Sequence, residues 1–361
     1  MQTNGPSLSR RALLKSAACG FGSLAMAGMQ GAYGFTGNPL AAKNPLIPQR
    51  AKRVIFIFMA GGPSHVDTFD YKPELFAKDR KDIDFTGVRT GTFGKQSKRT
   101  LMKPMWDFKR HGECGQYVSS LFPHIAGQVD DLAFIHSMHT EGVAHGPSTL
   151  FLHTGATNLV RPSMGSWVSY GLGTENENLP AYVSICPMAS KGGPRNYGNA
   201  FLPSIHQGTA VGRAGSPDEA RIKNVDNAML SAVQRKSRFD YLQSLNALQL
   251  GSIGSDDGME AAIKNYELAW RMQMEAPELT DITGETRATK EIYGIGEKAT
   301  DSFGKQCLLA RRMVERGVRF VQLFDQGWDH HGGLQRNLPN KCKQVDQPIA
   351  ALIKDLKERG L

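Results

Sequence analysis

Cysteine is scarce in this sequence: five are spread over 361 residues. No two stand as C-x-x-C, which excludes a zinc knuckle and a dithiol redox motif. There is no glycine period of the collagen kind and no internal repeat of solenoid length. Basic residues never gather into the block that nucleic-acid binders use, although Lys plus Arg number 43 against 34 Asp plus Glu. Acids are missing altogether from the first thirty residues, which hold Arg10, Arg11 and Lys15, so a third of the formal +9 belongs to that segment. What is present is apolar enough, at 40% hydrophobic residues, to exclude a disordered tail. The length fits one large or two ordinary domains.

The N-terminus reads as an address. Residues 9–15 are SRRALLK, followed by AACGFGSLAMAGM, a polar start with paired arginines and a short apolar stretch ending in small residues. That stretch is too short and too rich in glycine for a stable transmembrane helix. The plainer alternative is an ordinary N-terminal helix. Arg10-Arg11 with Leu13, Leu14 and Lys15 resembles the twin-arginine type of signal, whose pathway exports folded proteins. Cleavage after Ala27 fits Ala25-Met26-Ala27, and the glycine-rich stretch to Gly34 offers other sites. Cys19 is a poor lipidation site, because Ser16 stands where a large apolar residue is needed. Residues 1–34 are therefore taken as the signal, and 35–50, with three prolines, as a linker.

From residue 51 the pattern alternates. Arg53 to Met59 is a continuous apolar run stopped by Gly61-Gly62-Pro63, as expected of a strand buried on both faces. Similar runs occur at Leu132–Ile135, Ala181–Cys186 and Val318–Phe324. Asp301 to Arg316 has helical spacing, a stop at Gly317, and leads straight into the last run. Cys307 on its apolar face reads as a small core residue; the spacing of Cys114, Cys186 and Cys342 specifies no disulfide. The fold class is thus α/β, with a mainly parallel central sheet flanked by helices. A helical insertion spans about 217–300, and the polar, basic stretch 78–115 reads as a surface excursion. Ile349 to Lys357 forms an amphipathic helix, and Glu358-Arg359-Gly360-Leu361 reads as its stop before another strand.

Ligands of open α/β sheets bind beyond the carboxyl ends of the strands, and three polar clusters stand there. After the first strand come Ser64, His65, Asp67 and Asp70, residue types that also serve turns and helix caps. After the last come Asp329, His330 and His331, preceded by Asp325. A D-x-H spacing puts carboxylate and imidazole on one side of an extended segment, which suits a divalent cation; Asp325 either joins them or orients an imidazole. Between these two lie His139 and His145. A helix opens near Pro147 and stops at Gly155, placing His145, Ser148 and Thr149 at its anion-favouring N-terminus.

Together the segments GGPSHVDTFD (61–70), PSMGSWVSYGLGTENENLP (162–180), FLPSIHQGT (201–209), ELAWRMQ (267–273), CLLARRMVERGVRFVQLFDQGWDHHG (307–332) and DLKERGL (355–361) resemble the family called domain of unknown function 1501. That family is placed in the alkaline phosphatase-like superfamily and is related to sulfatases. The resemblance implies an exported, periplasmic or surface-located metallohydrolase of phosphate or sulfate esters, with small-molecule or glycan esters as substrates. Its partners would be the twin-arginine translocation machinery, and its cofactors divalent ions such as zinc, calcium, magnesium or manganese. Asp329 and His331 match the superfamily's metal-ligand pair, and Asp67 or Asp70 would supply an acid from the first strand's exit.

Sulfatases carry C-x-P-S-R before a short helix to T-G. Here His145-Gly146-Pro147-Ser148-Thr149 runs to Thr154-Gly155, so no formylglycine can form at His145. His145 is then a ligand or a nucleophile, with Ser148 the nearest hydroxyl. Family members continue beyond the equivalent of Leu361 into a strand and E-F-G-R-like and D-H-H-like motifs, which implies a C-terminally truncated chain. The rival expectation is a non-catalytic binding protein that keeps the fold.

Overall fold

The computed structural model describes residues 39–45, 47–84, 98–138, 140, 142, 144–212, 229–253 and 257–361. The signal, residues 35–38 and 46 of the linker, and the insertion's first residues up to 228 lie outside them. In chain order the strands are β1 (Val54–Ala60), β2 (Asp82–Asp84), β3 (Lys98–Thr100), β4 (Phe108–His111), β5 (Gln116–Ser119), β6 (Tyr182–Ile185), β7 (Thr209–Val211) and β8 (Phe320–Gln326). The α-helices are α1 (His65–Thr68), α2 (Pro73–Ala77), α3 (Pro123–Ala126), α4 (His145–Thr154), α5 (Met164–Leu172), α6 (Ala232–Ile253), α7 (Asp257–Thr280), α8 (Arg287–Ile292), α9 (Asp301–Glu315) and α10 (Leu334–Arg359).

Among the described residues the central sheet has four strands in the order β1-β8-β6-β7, parallel throughout. An α/β fold with a parallel sheet is what the apolar runs require, since a strand covered on both faces has no polar side to show. β8 is buried from Phe320 to Asp325. On one face Val321, Leu323, Val183 and Ile185 join Phe303, Cys307 and Leu308 of α9 and Leu338, Cys342 and Val345 of α10 in the main core. Burying each such leucine stabilises the fold by about 2 kcal/mol relative to exposure. On the other face His153 of α4 meets the rings of Phe58 and Phe324. Gly165 of α5 lies so close to the Tyr182 ring that a Cβ there would stand 2.6 Å from it.

The turn after α9 runs through Gly317, whose φ of +89° lets the Val318 N–H return to the Met313 carbonyl. β8 follows at once. The buried Arg311 of α9 is clasped by Glu285, Glu315 and Asp355, so its charge is paired rather than stranded.

Three expectations change. Leu132–Ile135 forms no strand: after a 3-10 turn at Val129–Asp131 it stays outside the sheet, with Ile135 largely exposed. The stretch 78–115 is not all excursion, because β2 pairs with β3 and β4 with β5 as antiparallel hairpins. The final helix is far longer than Ile349–Lys357, running from Leu334 through Pro339 and Pro348. The four described cysteines are free, with Cys307 fully buried as expected.

Candidate metal centre

β1 and β8 run side by side and finish level, with Ala60 opposite Gln326. The two exits are locked together. Trp328 donates its backbone N–H to the Ala60 carbonyl at 3.2 Å. Gly61 sits at φ +113°, and a Cβ on it would stand 2.4 Å from the Asp329 nitrogen, so glycine alone permits this approach. The Trp328 side chain is buried, and its indole N–H donates to Asp325 Oδ2 at 2.6 Å. Lys341 reaches up from α10 to Asp325 Oδ1 at 2.7 Å and lies over the Trp328 ring. Burial pushes the Asp325 carboxyl upward, with Lys341 and Trp328 opposing. Asp325 is therefore neither a ligand nor an imidazole's partner: it anchors the residue before Asp329.

Asp329 is the hub of the site. His145, the first residue of α4, places Nε2 2.7 Å from Asp329 Oδ2. His331 places Nε2 2.9 Å from Oδ1. One ligand atom from each of the three lies within 4.8 Å of the others. Burial works against the Asp329 charge, but the hydrogen bond from His331 and the two imidazoles outweigh it and hold the carboxyl below its usual range. The side chains are open to solvent, 40% exposed for His145 and 78% for His331. Two imidazole nitrogens and one ionised carboxylate, with an open side, make the donor set of a three-ligand site for zinc or another borderline divalent ion.

The remaining expected site residues have other partners. Ser148 donates its hydroxyl to the Ala144 carbonyl at 2.8 Å, closing the first turn of α4. Asp67 is buried and accepts the Ser64 hydroxyl at 2.6 Å. Asp70 is buried beneath one ammonium and two imidazoles: Lys72 Nζ at 2.9 Å, His65 Nδ1 at 3.1 Å and His136 Nδ1 at 3.4 Å. Burial raises its carboxyl, yet the bonds from Lys72 and His65 bring the net shift below the ordinary value. Neither aspartate belongs to the group of three. His139 lies outside the described residues. Two participants escaped the sequence reading. His136 had a signal, since it directly follows the apolar run Leu132–Ile135; Lys341 had none, being one lysine among several on a long helix.

Among the described residues no helix is long and apolar enough to cross a membrane. No curated protein and no solved structure matches the chain. A family model does, over residues 51–361, under the description "Protein of unknown function (DUF1501)". The match begins just before β1 and takes in every element that builds the centre. The chain belongs to the DUF1501 family.

Proposed function

We propose that this protein is an exported, metal-dependent hydrolase of phosphate or sulfate esters with an alkaline phosphatase-like fold. One observation carries the reading: His145, Asp329 and His331, from two separate elements, converge at the carboxyl ends of a parallel sheet. They would hold a divalent ion. Such an ion would polarise the ester and stabilise the attacking and leaving oxygens. The chain's own part is to keep Asp329 ionised, to present two imidazole nitrogens beside it, and to leave one side open for a substrate of small-molecule or glycan type. The Asp325–Trp328–Lys341 anchor keeps Asp329 in place while that side is occupied. His145 is read as a ligand, because its Nε2 is directed at Asp329. The twin-arginine-like start at Arg10-Arg11 supports a periplasmic or surface destination, reached after folding.

A second reading, a non-catalytic surface binding protein that keeps the metal, is favoured by Ser148. Its hydroxyl donates to the Ala144 carbonyl, a bond that directs the proton to a backbone acceptor rather than to a general base. Elemental analysis of the purified chain comes first, and absence of a stoichiometric divalent metal after reconstitution defeats the hydrolase. With metal bound, turnover of aryl phosphate or sulfate esters that Asp329→Ala and His145→Ala abolish supports it. Bound metal without turnover supports the binding protein.

A further inference from the structure

The helical insertion carries a surface that the centre does not use. α6 is 22 residues long, about 33 Å at 1.5 Å per residue. None of its described residues is buried. One stripe, Arg235, Phe239, Gln243, Asn246 and Leu250, is half-covered by the neighbouring α7. There Phe239 stacks on Trp270 at 5.0 Å and Gln243 donates to Glu267. A helix in water draws its stability mainly from packing an apolar face, and only two of those five residues are apolar. The larger apolar set points away from α7: Tyr241, Leu242, Leu245 and Leu248 are 63, 42, 43 and 72% exposed.

We infer that this face pairs with the same face of a second copy of the chain, antiparallel, about a two-fold axis through Leu245. The pattern is self-complementary. With Leu245 on the axis, Leu242 of one copy lies opposite Leu248 of the other, and the pair is repeated by symmetry, as an isologous contact demands. The charge pattern agrees. Tyr241 to Ile253 contains no charged residue, so the paired segments bring no like charges together. Arg238 falls opposite the second copy's Ser252, and Arg235 and Lys236 lie beyond the paired segment. Only Arg238 adds a basic group beside the exposed leucines, and Lys236 is paired with Asp240, fewer than the rows of lysine and arginine that an anionic lipid surface selects. One helix face on another makes a small interface, in the weak and reversible class.

Sedimentation velocity of the 361-residue chain, from about 1 to about 100 μM where small interfaces associate, is expected to show reversible monomer–dimer exchange. Leu245→Glu places two carboxylates on the axis and is expected to leave only monomer, with unchanged helicity and metal content. Leu245→Cys, in a chain carrying Cys19→Ser and Cys114→Ser, is expected to cross-link to a covalent dimer with diamide, whereas Arg238→Cys in that chain is not. A monomer at every concentration overturns the proposal. So does a dimer indifferent to Leu245→Glu. Co-sedimentation of a monomeric chain with phosphatidylcholine vesicles, abolished by Leu245→Glu, would assign the face to lipid and overturn it as well.

Discussion

The Nε2 atom of His145 lies 2.7 Å from Oδ2 of Asp329, which joins the start of α4 to the exit of β8. Without a metal this contact pairs a partly exposed imidazole with a carboxylate, an arrangement worth little by itself. Its value lies in the shared direction of two ligands. Asp329→Asn keeps the shape and removes the charge. Zinc affinity, followed by competition with a chromophoric chelator, is expected to fall by well over tenfold, since even outer partners of metal ligands cost about 10- to 100-fold. An unchanged affinity would place the metal elsewhere.

Two adjacent glycines separate strain from contact. Gly61 and Gly62 both have positive φ, +113° and +82°, but only a Cβ at Gly61 meets a neighbour. Gly62→Ala should cost about 1 kcal/mol of backbone strain and leave metal affinity alone. Gly61→Ala must also push the Asp329 backbone away, so it is expected to lower both melting temperature and metal affinity. Equal effects of the two on metal binding would defeat the argument.

Asp325 and Lys341 form a largely buried pair. Asp325→Asn strands the ammonium and is expected to cost about 3 kcal/mol in urea denaturation. Lys341→Met in the same chain should recover part of that loss, as coupled neighbours do. Additive losses would mean that the two groups act independently.

Two buried histidines make stability depend on pH. His153 donates Nδ1–H to the Thr149 carbonyl, and burial lowers its pKa from 6.5 to about 4. His206, bonded to Ser169, is likewise lowered to about 4 by burial, with Lys43 adding to the shift. Below pH 6.5 the unfolded chain takes up protons that the folded chain refuses. The stabilisation is therefore complete above pH 6.5 and lost as pH falls toward 4, about 3 kcal/mol for each group. Calorimetry between these limits should show proton uptake on unfolding, reduced by about one proton in His153→Phe. A flat profile would contradict the burial of both rings.

The paired arginines can be tested in cells. Arg10→Lys with Arg11→Lys preserves charge and removes the twin-arginine feature. Fractionation is expected to show the chain retained in the cytoplasm, while unaltered export would refute this route.

Much of the sheet was legible because burial on both faces leaves a long apolar run, as at Val54, Tyr182 and Phe320. The same signal misled at Leu132–Ile135, where four apolar residues lack a partner strand. β7 has three residues, too few for any periodicity. β4 and β5 hide in polar sequence, since a two-stranded hairpin needs little apolar surface when its turn is set by glycines such as Gly112 and Gly115, both at positive φ. At the centre, Asp329, His331 and His145 were readable from their places after a strand and at a helix start. Asp67 and Asp70 had equally suitable neighbours, but hydrogen bonds to Ser64, His65 and Lys72 claim them. Local sequence does not report which distant group reaches a carboxylate first.

The pairing of β1 with β8 also governs the order of assembly. β1 pairs in the sheet with a strand made some 260 residues later, a contact of very long sequence separation. Until β8 appears, VIFIFMA is an uncharged, β-prone segment that lacks the neighbour it has among the described strands. A chaperone has reason to bind it there. Asp329 and His331 follow β8 directly, so the three candidate ligands cannot meet before β8 is made, and metal uptake would serve as a marker that β8 has docked.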